Sequence, residues 1–363
     1  MTGRAPSTPA LRDDPRIDPR LVAAVEPFGL ADPLPPSRLT AEVPLEDIRS
    51  ALDRIEAGSA HMMAAGVAGL RPVQGVECST ETIAGPDGNE ITLYLHRPVE
   101  PPERGPGPAT LPGVLHLHGG GCVMMSAADV NYVRWRDELA ARGLVVVGVE
   151  FRNGAGALGP HPFPAGLDDS IAALEWMHQG RQALGLSAIV VSGDSGGANL
   201  ALATTIRAAR EGHIEQIDGT YALCPYISGA YSDPPPELAS LRDNDGLLVS
   251  VSMMGAMAKA YTPEPADLHD PLAWPYHATG EDLRGLPPHV ISLNELDPLR
   301  DEGLAYYRKL LAAGVPTRAR TVLGTFHAAE NNYFGSIPDV ARSTLADVVE
   351  FATACAGATD DPR

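Results

Sequence analysis

From Gly113 onward the hydrophobic positions fall into short continuous runs, separated by stretches with helical spacing. The runs are Val114–His118, Leu144–Phe151, Ala188–Gly193, Thr220–Pro225, His289–Asn294 and Thr317–Leu323. Most are rich in Val, Ile and Leu and too short for helices, which predicts strands buried on both faces. Between them, Val130–Ala141, Ala165–His178, Gly197–Arg210, Asp301–Ala313 and Pro338–Cys355 repeat apolar residues at intervals of three and four. That spacing predicts amphipathic helices. Buried strands alternating with such helices predict an α/β protein, its mostly parallel sheet flanked by helices on both faces.

The chain before Gly113 reads differently. Residues 1–44 are rich in proline and predict an irregular arm, followed by a helix over Leu45–Ala57 from Leu45, Ile48, Leu52 and Ile55. Glu77–Ala84 and Glu90–His96, split by Gly85-Pro86-Asp87-Gly88, predict an antiparallel hairpin. Val99–Pro112 holds seven prolines and glycines and predicts a surface loop. The strand–helix alternation lapses again over 226–288, a Pro-rich stretch with a Met-rich helix expected at Leu247–Tyr261. The expected organisation is an arm with cap helices (1–72), a first part of the core (73–225), a cap insertion (226–288) and a second part of the core (289–363).

A hydrophobic content of 44% and a charged content of 20% over 363 residues are those of a globular chain. The net charge of −19 repels phosphate backbones, so nucleic acid is excluded as a partner. No stretch reaches the ~18 apolar residues of a membrane span, and Met1–Pro33 lacks the apolar centre of a signal peptide. A cytoplasmic location and no membrane partner are therefore expected. The four cysteines are far apart without C-x-x-C pairing, so neither a disulfide framework nor a metal site is expected.

The sharpest chemical signal is Gly193-Asp194-Ser195-Gly196-Gly197, between a strand run and a helix-like run. A serine on a strand–turn–helix junction needs neighbours without side chains, so that the two elements can approach and Oγ can stand exposed. Gly-Asp-Ser-Gly-Gly also surrounds the nucleophile of trypsin-like proteases, but those are all-β and place His and Asp before Ser. Here the candidate partners follow it. Upstream, His118-Gly119-Gly120-Gly121 ends a strand, and bare backbone there can approach a carbonyl oxygen. Gly120, Gly121 and Gly196 are the expected oxyanion donors, with His118 bracing the loop and Asp194 in support.

Chain order in this arrangement is Ser, acid, His. Among the later histidines, His327 alone sits in a polar turn just after a late strand. The acid should end the preceding strand, which singles out Asp297, with Glu295 and Asp301 as rivals. Gly154-Ala-Gly156-Ala-Leu-Gly159 matches a dinucleotide-binding pattern, but Pro160, Pro162 and Pro164 bar the helix that such a site needs. No cofactor is expected. His116 and His118 lack the carboxylates of a metal site.

Together, H-G-G-G, Phe151-Arg152 leading to His161-Pro-Phe-Pro-Ala165, G-D-S-G-G, Asp297-Pro-Leu-Arg-Asp-Glu-Gly303 and His327 resemble the hormone-sensitive-lipase family of esterases, from about Val73 onward. The resemblance implies an α/β-hydrolase fold with an eight-stranded sheet and a helical cap. It implies a serine carboxylesterase with Ser195, Asp297 and His327 as triad, acting on a small-molecule ester, with a homodimer left open. An amidase or a non-catalytic receptor on the same fold is the alternative. Many relatives have Ala where this chain has Gly196, and Phe or Met where it has Cys122.

Overall fold

The computed structural model describes residues 10–32, 37–100 and 110–358. Eight strands form one sheet: β1 (Val76–Ala84), β2 (Glu90–Pro98), β3 (Leu111–Leu117), β4 (Val145–Glu150), β5 (Leu186–Asp194), β6 (Gly219–Leu223), β7 (His289–Asn294) and β8 (Thr317–Val322). Their order is β1-β2-β4-β3-β5-β6-β7-β8. The β1–β2 hairpin and the β2–β4 pair are antiparallel, and every other pair is parallel.

Alternation along the strands feeds two layers. Val114, Val146, Val190 and Tyr221 meet Trp135 and Leu139 of α3 (Val130–Ala140) and Leu345 and Val348 of the helix Pro338–Ala358. The next residues along, Leu115, Val147 and Val191, face the opposite way and pack on α4 (Ala165–Gln179) and α5 (Gly196–Glu211) through Leu167, Leu174 and Leu200. A helix over Arg300–Ala312 covers the far end, with Tyr306 and Leu310 against Ile291 and Leu293. Each such Leu, Ile or Val contributes about 1.5–3 kcal/mol on full burial, so the sheet needs both layers.

Boundaries differ from the sequence expectations where local backbone overrides pattern. The helix expected at Leu45–Ala57 continues to Val67 as α2. The arm is not wholly irregular, since Asp18 accepts the Arg20 N–H and starts α1 (Pro19–Val25). The expected loop over Val99–Pro112 ends early: Leu111 and Pro112 already belong to β3, with a register shift between them where proline offers no N–H; residues 101–109 lie outside the described residues. The Met-rich helix starts at Val251 rather than Leu247, giving α6 (Val251–Tyr261). Leu248 is left-handed (φ 73°), and Asp245 Oδ1 takes the Val251 N–H at 2.8 Å, so 247–250 form a turn. No helix among the described residues is long and apolar enough to cross a membrane.

Candidate active site

The turn that carries Ser195 is built by backbone packing. β5 ends on Asp194, Ser195 takes φ 54° and ψ −117°, and α5 begins at Gly196. A Cβ on Gly197 would lie 2.1 Å from the Leu117 carbonyl oxygen, so strand β3 and the start of α5 can only meet through glycine. The strained serine is held by its own N–H to Leu223 O (2.9 Å) and its carbonyl, which takes Tyr226 N–H (3.2 Å).

Asp297 follows β7 and His327 follows β8, so two neighbouring strands deliver both to the carboxyl edge beside Ser195. His327 Nδ1 lies 2.8 Å from Asp297 Oδ2 and Nε2 lies 2.9 Å from Ser195 Oγ. With a carboxylate on Nδ1, that nitrogen carries the proton, and Nε2 accepts from the serine. Asp297 is fully buried, and its other oxygen accepts the Leu299 N–H at 2.9 Å. Burial opposes a charged imidazole, but the Asp297 carboxylate and Cys224 together outweigh it and raise His327 well above its ordinary pKa. The rival acids have other tasks: Glu295 accepts from Gly324 N–H and Asp301 from Ser240 N–H. Leu296 and Phe326, next to the acid and the histidine, pack on Leu21 and Val25 of α1.

The glycine loop after β3 reaches over the serine. Gly120 (φ 98°) and Gly121 (φ 63°) are left-handed, and their N–H groups donate to no backbone carbonyl among the described residues. Gly196 opens α5, so its N–H has no acceptor inside the helix. Cys122 Sγ donates to the Gly196 carbonyl at 3.2 Å and ties loop to turn. His118 binds Gly119 O through Nδ1 (2.8 Å) and stacks on Phe151 at 4.1 Å. Burial lowers its pKa to about 3, so it stays neutral.

Sequence reading missed several neighbours. Tyr132 OH accepts the Gly119 N–H at 3.0 Å and reaches Asp194 Oδ2 at 3.5 Å, and burial pushes Asp194 up to about 7. Cys224, just past β6, places Sγ beside Asp297 and His327. Neither residue sits in a motif, and a tyrosine on an amphipathic helix or a cysteine after a strand gives no signal of its own. Among the described residues, two clusters have donor atoms close enough for a metal, Cys224–Asp297–His327 and Cys78–His96–Asp137. His327 is committed at both nitrogens. In the second, Arg136 Nε donates to His96 Nε2 (3.0 Å), so Nδ1 carries the proton and gives it to Asp137 at 2.7 Å. The lone pairs a cation needs are thus engaged.

This sheet order, with a strained serine after β5 and His and Asp on the following strand ends, defines an α/β-hydrolase. A profile of the alpha/beta hydrolase fold matches residues 114–331, and the chain belongs to that family. In structure it is similar to brefeldin A esterase, a bacterial homologue of human hormone sensitive lipase, at 42% identity and a TM-score of 0.90, covering 96% of each chain. The resemblance to the hormone-sensitive-lipase family therefore stands. In sequence it is similar to esterase LipI of Mycobacterium tuberculosis, 29% identical over 92% of this chain and 93% of that one. It is also similar to an ethyl acetate hydrolase of Pseudomonas putida, 31% identical over 73% of this chain and 78% of that one.

Proposed function

We propose that this carboxylic ester hydrolase works through an acyl-enzyme on Ser195, with His327 as general base oriented by Asp297. The observation behind this reading is the unbroken chain Asp297–His327–Ser195, at 2.8 and 2.9 Å, beneath a glycine loop. Ser195 Oγ attacks the ester carbonyl while His327 Nε2 takes its proton. The oxygen charge that develops is met by N–H groups of Gly120, Gly121 and Gly196. The C–O bond then breaks, and His327 returns the proton to the leaving alcohol. Water attacks the acyl-enzyme with His327 as base again, releasing the acid and the serine.

The arm and the 226–288 insertion form the cap over this site. In support, Ile48 and Leu52 of α2 share one apolar cluster with Met254 and Met257 of α6, and Lys259 Nζ donates to the carbonyls of Ala41 (2.8 Å) and Val43 (2.9 Å). Met257 Cε stands where a side chain on Gly121 would be. The acyl chain is proposed to lie between the glycine loop and these methionines, where each added CH₂ gains about 0.8 kcal/mol only until the space is filled. The substrates are short-to-medium acyl esters, free in the cytoplasm. A fluorophosphonate should add once, at Ser195, by peptide mass spectrometry; labelling elsewhere with activity lost would refute the assignment. In a nitrophenyl ester series from acetate to palmitate, activity should peak before the long chains; an optimum at palmitate with a jump on micelles would refute the closed pocket.

A further inference from the structure

The Gly154-Ala-Gly156 segment lies against the glycine loop. Gly154 N–H donates to Cys122 O (2.9 Å), Ala155 N–H to Val123 O (3.0 Å), and Asn153 Nδ2 to Met125 O (2.8 Å). The loop needs such support, because Cys122 (φ 62°) and Met125 (φ 74°) are left-handed without being glycine. Two further bonds come from outside the core. Glu56, in the middle of α2, accepts the Met125 N–H on Oε1 (2.5 Å) and the Ala157 N–H on Oε2 (2.8 Å). Its carboxylate lies so close to Gly156 that a Cβ there would be 2.8 Å from Oε2. A single side chain of the N-terminal arm thus pins both the far end of the glycine loop and the segment that braces it.

We infer that Glu56 is a positioning residue for the oxyanion donors: the loop holds its catalytic shape only while α2 is seated and Glu56 bridges Met125 and Ala157. The inference rests on the acyl-enzyme reading above. Glu56 touches no reacting atom, so its loss should act on stabilisation of the tetrahedral oxyanion and not on ground-state binding. A carboxylate can take both N–H groups, one on each oxygen. The amide of glutamine keeps one acceptor and turns an NH₂ towards the other donor.

The test compares wild type, Glu56→Gln and Glu56→Ala with nitrophenyl acetate, a substrate too small to depend on the cap for binding. Turnover should fall about tenfold for Gln and about a hundredfold for Ala, since misplacement of a catalytic group by about 1 Å can cost a hundredfold, while KM stays within about twofold. Affinity for an alkyl trifluoromethyl ketone, which forms a tetrahedral oxyanion on the serine, should fall in parallel with kcat, while affinity for butyrate does not change. Wild-type kcat and ketone affinity in both variants would overturn the inference. So would a loss confined to KM, or a fall in kcat without a fall in ketone affinity. Failure of the ketone to add to Ser195 in the wild type would instead refute the acyl-enzyme reading itself. Glu56→Gln, being isosteric, keeps the comparison available if Glu56→Ala unseats the arm.

Discussion

Replacing Gly196 with alanine tests how rigidly the glycine loop is set. A Cβ at this position would lie 2.4 Å from Cys122 N and 2.7 Å from both N and Cα of Gly121, and all three atoms are backbone. Ordinary van der Waals contact begins at 3.4 Å, so the loop must retreat by about 1 Å. It cannot do so freely, being tied through Cys122 to Gly196 O and Gly154, through Met125 to Glu56 and Asn153, and through Gly119 to Tyr132. Oxyanion donors act at about 2.7–3.1 Å, and a retreat of about 1 Å takes the Gly121 N–H out of that range. The expected cost is about a hundredfold in kcat, or roughly 2.7 kcal/mol of transition-state stabilisation, with KM little changed. Steady-state kinetics on nitrophenyl butyrate measure it, with Gly280→Ala as control because a side chain there meets open space. A Gly196→Ala enzyme with wild-type kcat would show that the loop moves at little cost and that the close approach has no catalytic consequence.

Ser195→Ala and His327→Ala should each abolish turnover, and the double variant should be scarcely slower than either, because the two act as one unit; multiplying losses would show that the wrong pair has been chosen. Because Asp297 raises the pKa of His327 and the base must be neutral, kcat/KM should rise with pH through an apparent pKa of the coupled pair. Asp297→Asn should move that inflection to lower pH while cutting kcat about 10³–10⁴-fold, and an unmoved inflection would argue against the pairing. Glu302 is fully buried, accepting from Ile227 N–H, Ser228 Oγ and Tyr231 OH, and burial raises its pKa to about 7 from an ordinary 4.5. The folded chain then holds a proton that the unfolded chain has released, so this group's contribution to stability falls as pH rises from about 4.5 through 7. Urea midpoints from pH 5 to 8 should decline less steeply in Glu302→Gln than in the wild type, and parallel curves would count against it.

The core strands and helices were legible because a sheet covered on both faces writes itself as unbroken apolar runs. The glycine motifs were legible because close backbone contact excludes side chains, as the position of Gly197 shows. Asp297 and His327 could be singled out by chain order, since β7 and β8 end side by side. What escaped were contacts set by tertiary packing. Nothing in the local sequence places Glu56 near Met125, sixty-nine residues away, or Tyr132 beside Asp194. The onset of the Met-rich helix was hidden because the left-handed turn at Leu248 depends on Asp245 capping Val251, whereas the apolar spacing runs through it unbroken. Gly154-Ala-Gly156 shows the converse: glycines that leave room for the Ala260 carbonyl and the Glu56 carboxylate match a pattern that elsewhere means close approach to a phosphate.

The packing of α1 has a consequence for how the enzyme comes into being. Leu21 and Val25 rest on Leu296 and Phe326, and Asp18 N–H donates to Gly324 O at 2.9 Å, so the start of the chain closes against its last quarter. During synthesis α1 is made long before the ends of β7 and β8 that seat it, and must wait for them. A chain halted after α5 has Ser195 and the glycine loop but lacks Asp297 and His327, and its α1 lacks the Leu296 and Phe326 surface it packs on. Contacts of such sequence separation form late and slowly. On the proposed mechanism, hydrolysis should begin only once Asp297 and His327 are seated, and the rate at which activity appears during refolding checks this.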